Sequence, residues 1–166
     1  MAKKAKKAAA KPSKKPAKAK PRKSAAKKAA PKRDPLAPIP VSTGSGMTPA
    51  EVGKSLVEMF NAGKMKEIEE KWWNPAKITS VEGVGVGLGW VGKKAVDAKN
   101  ASWMAEHAIH GASAEGPYVG SSGFSVRFKM DVETRSTGHR TVMEEVGVYT
   151  VENGKIVREE FMYMMP

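Results

Sequence analysis

A chain of 166 residues without a single cysteine cannot be a disulfide-framed scaffold, a thiolate zinc protein or a cysteine-nucleophile enzyme. Its formal charge of +12, from 29 Lys and Arg against 17 Asp and Glu, is unevenly divided. Residues 1–46 hold 13 Lys and 2 Arg against the single acid Asp34, a charge of +14, which leaves the rest of the chain close to neutral at −2.

From Ala2 to Arg33 the sequence contains no aromatic and no branched aliphatic residue. Such a stretch cannot bury enough apolar surface to offset its backbone entropy, so it is expected to be disordered in isolation. Pro12, Pro16, Pro21 and Pro31 interrupt every Lys-Ala run that could form a helix. The Lys-Ala-Pro composition with scattered Ser resembles the tails of linker histones and bacterial histone-like proteins. That resemblance implies sequence-independent contact with nucleic-acid phosphates, and counterion release supplies the physics. Lys3, Lys4, Lys6, Lys7, Lys14, Lys15, Lys27 and Lys28 are the expected phosphate contacts.

A secretory signal would need ~7–15 apolar residues after its basic start. The longest candidate is Ala8–Ala10, and no window approaches a membrane span. The expectation is a soluble cytoplasmic protein without membrane contact, associated with nucleoid or chromatin through its tail. The linker Asp34–Gly46 passes from Pro-rich to Ser/Gly-rich, stiff and then flexible. A folded domain over 47–166 should follow.

Thr48-Pro49-Ala50-Glu51 is a helix start, with Thr48 as cap, Pro49 at the first helical position and Glu51 closing a capping box. Val52, Leu56, Met59 and Phe60 form one apolar stripe on a helix that Gly63 ends. A second helix over about 64–72 places Met65, Ile68 and Trp72 together and stops before Pro75. A short strand over about 77–82, a Gly-rich loop from Gly83 to Gly92 and a third helix over about 93–106 come next. From His107 the apolar period changes to 2, most clearly where Phe124, Val126, Phe128, Met130 and Val132 alternate with polar residues. Asn153-Gly154 joins two strand-like runs as a hairpin turn. Helices first and antiparallel strands afterwards predict an α+β fold, three helices packed on a curved, mostly antiparallel sheet.

This order resembles the SnoaL-like and ketosteroid-isomerase-like branch of the nuclear-transport-factor-two-like superfamily. Three segments carry the resemblance: Trp72-Trp73-Asn74-Pro75 leading into Ile78–Glu82, Gly92–Val96 opening the third helix, and Val148–Val157 around the last turn. It covers 47–166 and none of the tail. It implies a conical domain enclosing one apolar pocket, commonly as a homodimer. Isomerases, cyclases, dehydratases and non-catalytic binding modules all share that frame, so the fold leaves function open.

Gly87-Leu-Gly89-Trp-Val-Gly92 spells a dinucleotide fingerprint, and Gly87 with Gly92-Lys93 nearly spells a phosphate loop. Lys94 stands where a metal-binding hydroxyl is needed, and no βαβ repeat follows. The loop is therefore read as a pocket rim with Trp90 as an apolar lid. His107 and His110, three apart on a strand, would face opposite sides and could not chelate together. No metal and no cofactor is expected.

Carboxylates in an apolar pocket remain, since burial raises a carboxyl's pKa and fits it for proton transfer near neutral pH. Glu82 falls close to where the isomerases of the resembling family keep their catalytic carboxylate. In the last hairpin, a two-residue turn puts Glu144, Val146, Val148, Val157, Glu159, Phe161 and Tyr163 on one face, directed at the pocket. A turn with a bulge would exchange Glu144 for Glu145. The expected catalytic residues are Glu82, Glu159 and Tyr163, with Trp73, Trp90, Glu144, Val148 and Phe161 lining the pocket. Two functions follow: a pocket for a small apolar ligand with cofactor-independent acid/base chemistry beside a nucleic-acid-binding tail, or a non-catalytic nucleic-acid-associated protein whose dimeric domain presents two tails.

Overall fold

The computed structural model describes residues 46–85 and 87–163. The expectations for the tail and its lysines and for the linker before Gly46 lie outside these residues.

The chain folds as helices α1 (Pro49–Asn61) and α2 (Met65–Trp72), strands β1 (Thr79–Glu82) and β2 (Leu88–Val91), helix α3 (Lys93–Glu106), and strands β3 (His107–Val119), β4 (Gly123–Thr134), β5 (His139–Glu152) and β6 (Lys155–Tyr163). The capping box closes as the sequence predicts: the Glu51 amide donates to Thr48 Oγ1 at 3.3 Å, and the Thr48 amide donates to Glu51 Oε2 at 2.8 Å. Val52, Leu56 and Phe60 from α1 and Ile68 and Trp72 from α2 enter the core. There they meet Phe124, Val126, Phe128, Met130 and Val132, the whole alternating set of β4. Each such side chain contributes about 1.5–3 kcal/mol by leaving water.

The six strands form one mixed sheet in the order β2-β1-β6-β5-β4-β3, parallel only at the β1–β6 junction. The fold is thus α+β, three helices on a sheet. Helix α1 lies against β3 and β4, and α3 against β1, β2 and β3. One expectation is corrected here. Residues 88–91, read as part of a loop because of their glycines, form an edge strand antiparallel to β1, with Trp90 opposite Ser80. Backbone pairing with β1 outweighs the low strand propensity of the segment.

Asn153 and Gly154 turn β5 into β6 with φ values of 50° and 72°, the two left-handed positions of a type I′ turn. Glu152 pairs with Lys155 and Val151 with Ile156, but Thr150 then pairs with Arg158. Val157 is therefore an extra residue in β6. It exchanges the two faces of β5 relative to β6 beyond that point.

Candidate functional site

That bulge decides which side chains meet. Across the sheet Tyr149 stands opposite Glu159, Gly147 opposite Phe161, and Glu145 opposite Tyr163. Glu159 in turn pairs with Ser80 of β1, and Tyr149 with Phe124 of β4. A continuous row, Phe124, Tyr149, Glu159 and Ser80, thus crosses four strands on the face that α3 covers. Tyr149 stacks on Phe124 at 4.9 Å between ring centroids and meets Phe161 edge-on at 6.3 Å. Gly147 makes room for it, since a Cβ there would come within 2.8 Å of Tyr149 Oη and 2.9 Å of the Phe128 ring.

Between this face and helices α2 and α3 lies a cavity of about 710 Å³, walled by aromatic residues including Phe60, Trp73, Trp103, Phe128, Tyr149 and Phe161. Its polar wall is a cluster around one lysine. Lys99 of α3, with a side chain only 10 % exposed, pairs with Glu82, donates to Ser80 Oγ at 2.9 Å and approaches Glu159 Oε1 at 3.7 Å. Its ammonium also lies 5.1 Å from the Phe161 ring centroid and 5.6 Å from that of Trp90, within cation–π range. Tyr163 Oη donates to Glu82 Oε2 at 3.3 Å. On the α2 side, Asn100 Nδ2 donates to Glu69 Oε1 at 2.8 Å.

Glu159 is 2 % exposed, and its Oε1 has no hydrogen-bond partner. Burial pushes its carboxyl up to about 7, against the opposing pull of Lys99 and the Ser80 hydroxyl. Glu145 is half-buried, with surface open to the cavity, and among the described residues no hydrogen bond or ion pair reaches it. Burial, reinforced by the charge of Glu82, pushes it up to about 7 as well. Burial also raises the Tyr163 and Tyr149 phenols and the Glu69 carboxyl. Two carboxyl groups poised near neutrality in an aromatic cavity can exchange a proton with a bound ligand without a metal or cofactor.

The structure brings together Glu82, Glu159, Tyr163, Trp73 and Phe161 on the cavity wall. Glu144 and Val148 are not there, because the Val157 bulge turns them to the opposite sheet face. Glu144 instead pairs with Arg127 at 2.6 Å and Lys129 at 3.5 Å, and those cations hold its carboxyl below the ordinary value. Trp90 also stands outside the cavity wall, backing Lys99 from the edge of the sheet.

Lys99 escaped the sequence reading, although Val96, Lys99 and Trp103 fall at i, i+3 and i+7, and a lysine within an apolar stripe was the available signal. Glu145 and Tyr149 depended on the register of the hairpin. Among the described residues no group of three or more His or acidic side chains could hold a metal ion. His107 Nδ1 donates to Trp103 O, and His110 Nε2 hydrogen-bonds Glu133 Oε2, each at 2.8 Å. No helix among these residues is long and apolar enough to cross a membrane.

Sheet, helices and cavity define an α+β pocket domain. The SnoaL-like domain family matches residues 47–163, and the chain belongs to that family. A Mesorhizobium loti structure, described both as a SnoaL-like polyketide cyclase and as a carbohydrate phosphatase, is 42% identical, with a TM-score of 0.66 over 70% of this chain and 100% of that one. A Pseudomonas putida protein described with the polyketide cyclases is 17% identical, with a TM-score of 0.54 over 72% of this chain and 94% of that one. A Burkholderia pseudomallei protein described as nuclear-transport-factor-two-like is 17% identical, with a TM-score of 0.56 over 71% and 92%. The last two share the fold. Comparison with curated proteins gives no significant match.

Proposed function

We propose that the domain binds a small apolar ligand and transfers a proton on it without a cofactor, as an isomerase, cyclase or hydratase does. The observation that carries this reading is the pair Glu145 and Glu159, both raised to about 7 by burial in a cavity with room for a ligand. Glu145 is the ligand-facing base because its carboxyl has open surface and no partner among the described residues. Glu159 lies behind it as the second proton station. Glu82 pairs with Lys99, and Tyr163 donates to it from the rim of the same cluster.

A generic carbon acid tests this without knowledge of the natural substrate. Elimination of 5-nitrobenzisoxazole needs a base to take one ring C–H; the N–O bond breaks and a coloured cyanophenolate leaves. The protein should accelerate it, the rate rising with pH through about 7 as the base ionises. Glu145→Gln should lower the rate about 10²-fold. A rate independent of both Glu145→Gln and Glu159→Gln would overturn the reading.

The tail supports a second activity. Its charge of +14 within residues 1–46 fits non-specific binding of nucleic acid, with Lys3, Lys4, Lys6, Lys7, Lys14, Lys15, Lys27 and Lys28 among the phosphate contacts. On this reading the domain, as a homodimer, presents two tails.

A further inference from the structure

Four carboxyl groups, Glu69, Glu82, Glu145 and Glu159, line the cavity, and the ammonium of Lys99 pairs with two of them, Glu82 and Glu159. Lys93 acts on Glu69 but is itself paired with Asp97 at 2.7 Å, so the surplus of carboxyl groups remains. Lys66 at the wall pairs with none of the four. The imbalance is visible at one atom: Glu159 Oε1, on a residue 98 % buried, has an ion-pair contact at 3.7 Å and no hydrogen bond. A buried acceptor left in that state is costly unless something supplies a donor.

Resting on the reading above, and naming its ligand class, we propose that the cavity takes an apolar molecule bearing a basic nitrogen, bound as the ammonium at Glu145 with Glu159 behind it. Three features select this class. The cavity has a surplus of carboxyl groups over cations. Rings of Trp73, Trp103, Phe128, Tyr149 and Phe161 line the space, a wall suited to the apolar body and to cation–π contact with the ammonium. Glu145 faces the cavity with no partner of its own among the described residues. An anionic ligand would meet the same carboxyl groups and be repelled. The ammonium also favours the ionised form of both carboxyls, the form that accepts a proton.

The groups facing this pair set the pH response: Glu82 and Ser80 from β1, Lys99 from α3, Glu69 from α2, Tyr149 from β5 and Tyr163 from β6. Glu145 and Glu159 ionise at about 7, and an alkylamine remains protonated to about 10. Amine binding should therefore strengthen from pH 6 to 8 and weaken again above about 10.

The test uses the full chain and three probes of one shape: tryptamine, tryptophol and indole-3-propionate, with binding followed by calorimetry at pH 6 and pH 8. Tryptamine should bind at least about tenfold more tightly than tryptophol at pH 8, with indole-3-propionate weakest, and the preference should shrink at pH 6. Glu145→Gln, which keeps the shape of the side chain, should remove most of the preference while tryptophol affinity stays. Glu160→Gln, on the opposite face of β6, should change nothing. Equal binding of amine and alcohol, tighter binding of the carboxylate, binding of none of the three, or a preference untouched by Glu145→Gln would overturn the proposal. The benzisoxazole rate involves no amine, so the failure of this ligand class and the failure of the proton-transfer reading are separate results.

Discussion

Glu145 stands directly opposite Tyr163 across the β5–β6 pair, on the same face as Glu159, while its neighbour Glu144 faces away and pairs with Arg127. One extra residue, Val157, separates these outcomes. The chemistry of the cavity is therefore tied to a bulge more than ten residues distant from Glu145 in sequence.

The first prediction concerns Glu159. Its folded-state pKa, about 7, lies above the value near 4.5 of a free carboxyl, so the folded state holds the proton more tightly than the unfolded one. Stability should fall as pH rises from about 4.5 through 7, and below that window the group costs nothing. Glu159→Gln should flatten this fall and raise stability at pH 8 by up to about 3 kcal/mol, the pull of Lys99 being already contained in the folded-state value. Denaturant melts at pH 5 and pH 8 measure it. A variant less stable than wild type at pH 8 would show the carboxylate to be a net stabiliser.

Removing the cation should have the opposite effect. Lys99→Met leaves buried Glu159 and half-buried Glu82 without their shared partner, and should destabilise by about 3 kcal/mol at pH 8. The loss should be smaller at pH 5, where Glu159 is protonated. A loss that does not change between the two pH values would mean that packing of the lysine stem, not its charge, is what matters.

The turn is tested at Gly154, whose φ of 72° is left-handed and whose Cβ would lie 2.6 Å from the Met47 amide nitrogen. Gly154→Ala should cost about 1–3 kcal/mol. Asn153→Gly, at φ 50°, should be close to neutral. Because the turn fixes the register that places Glu145, Gly154→Ala should also reduce ligand affinity; unchanged melting and binding would detach the turn from the site.

For the tail, the full chain should shift DNA in a gel and residues 47–166 should not. If ~6–10 phosphates are engaged, affinity should fall ~10³–10⁵-fold between 50 and 200 mM salt. Binding independent of salt, or equal binding by the domain alone, would remove the electrostatic account.

The outer sheet face gives the last prediction. Val146 and Met162 are paired neighbours there and both are exposed, with exposed Val142 farther along β5. If that face joins two copies, 47–166 should sediment near twice its mass, and Val146→Lys with Met162→Lys should halve it. A monomer at micromolar concentration would exclude the homodimer.

The sequence by itself determined the elements other than the edge strand β2. The Thr48 capping box, the Val52-Leu56-Phe60 stripe, the alternation of β4 and the Asn153-Gly154 turn are all local patterns, because a helix cap, a helical face, a strand face and a tight turn each involve residues within a few positions of one another. Glu159, Tyr163, Trp73 and Phe161 could be nominated for the same reason, as polar or aromatic members of apolar segments, and Glu82 through the resemblance to the isomerases. What only the tertiary structure decided was their company. Parity along β5 could not choose between Glu144 and Glu145, since a single bulge residue reverses it, and backbone pairing decides where the bulge falls. Lys99 comes from a helix 17 residues after Glu82 and 60 before Glu159, and nothing in either strand announces it. Its pairing with those carboxylates exists because α3 is laid across the sheet, and it is the low dielectric of that interface that turns three ordinary ionisable side chains into a site.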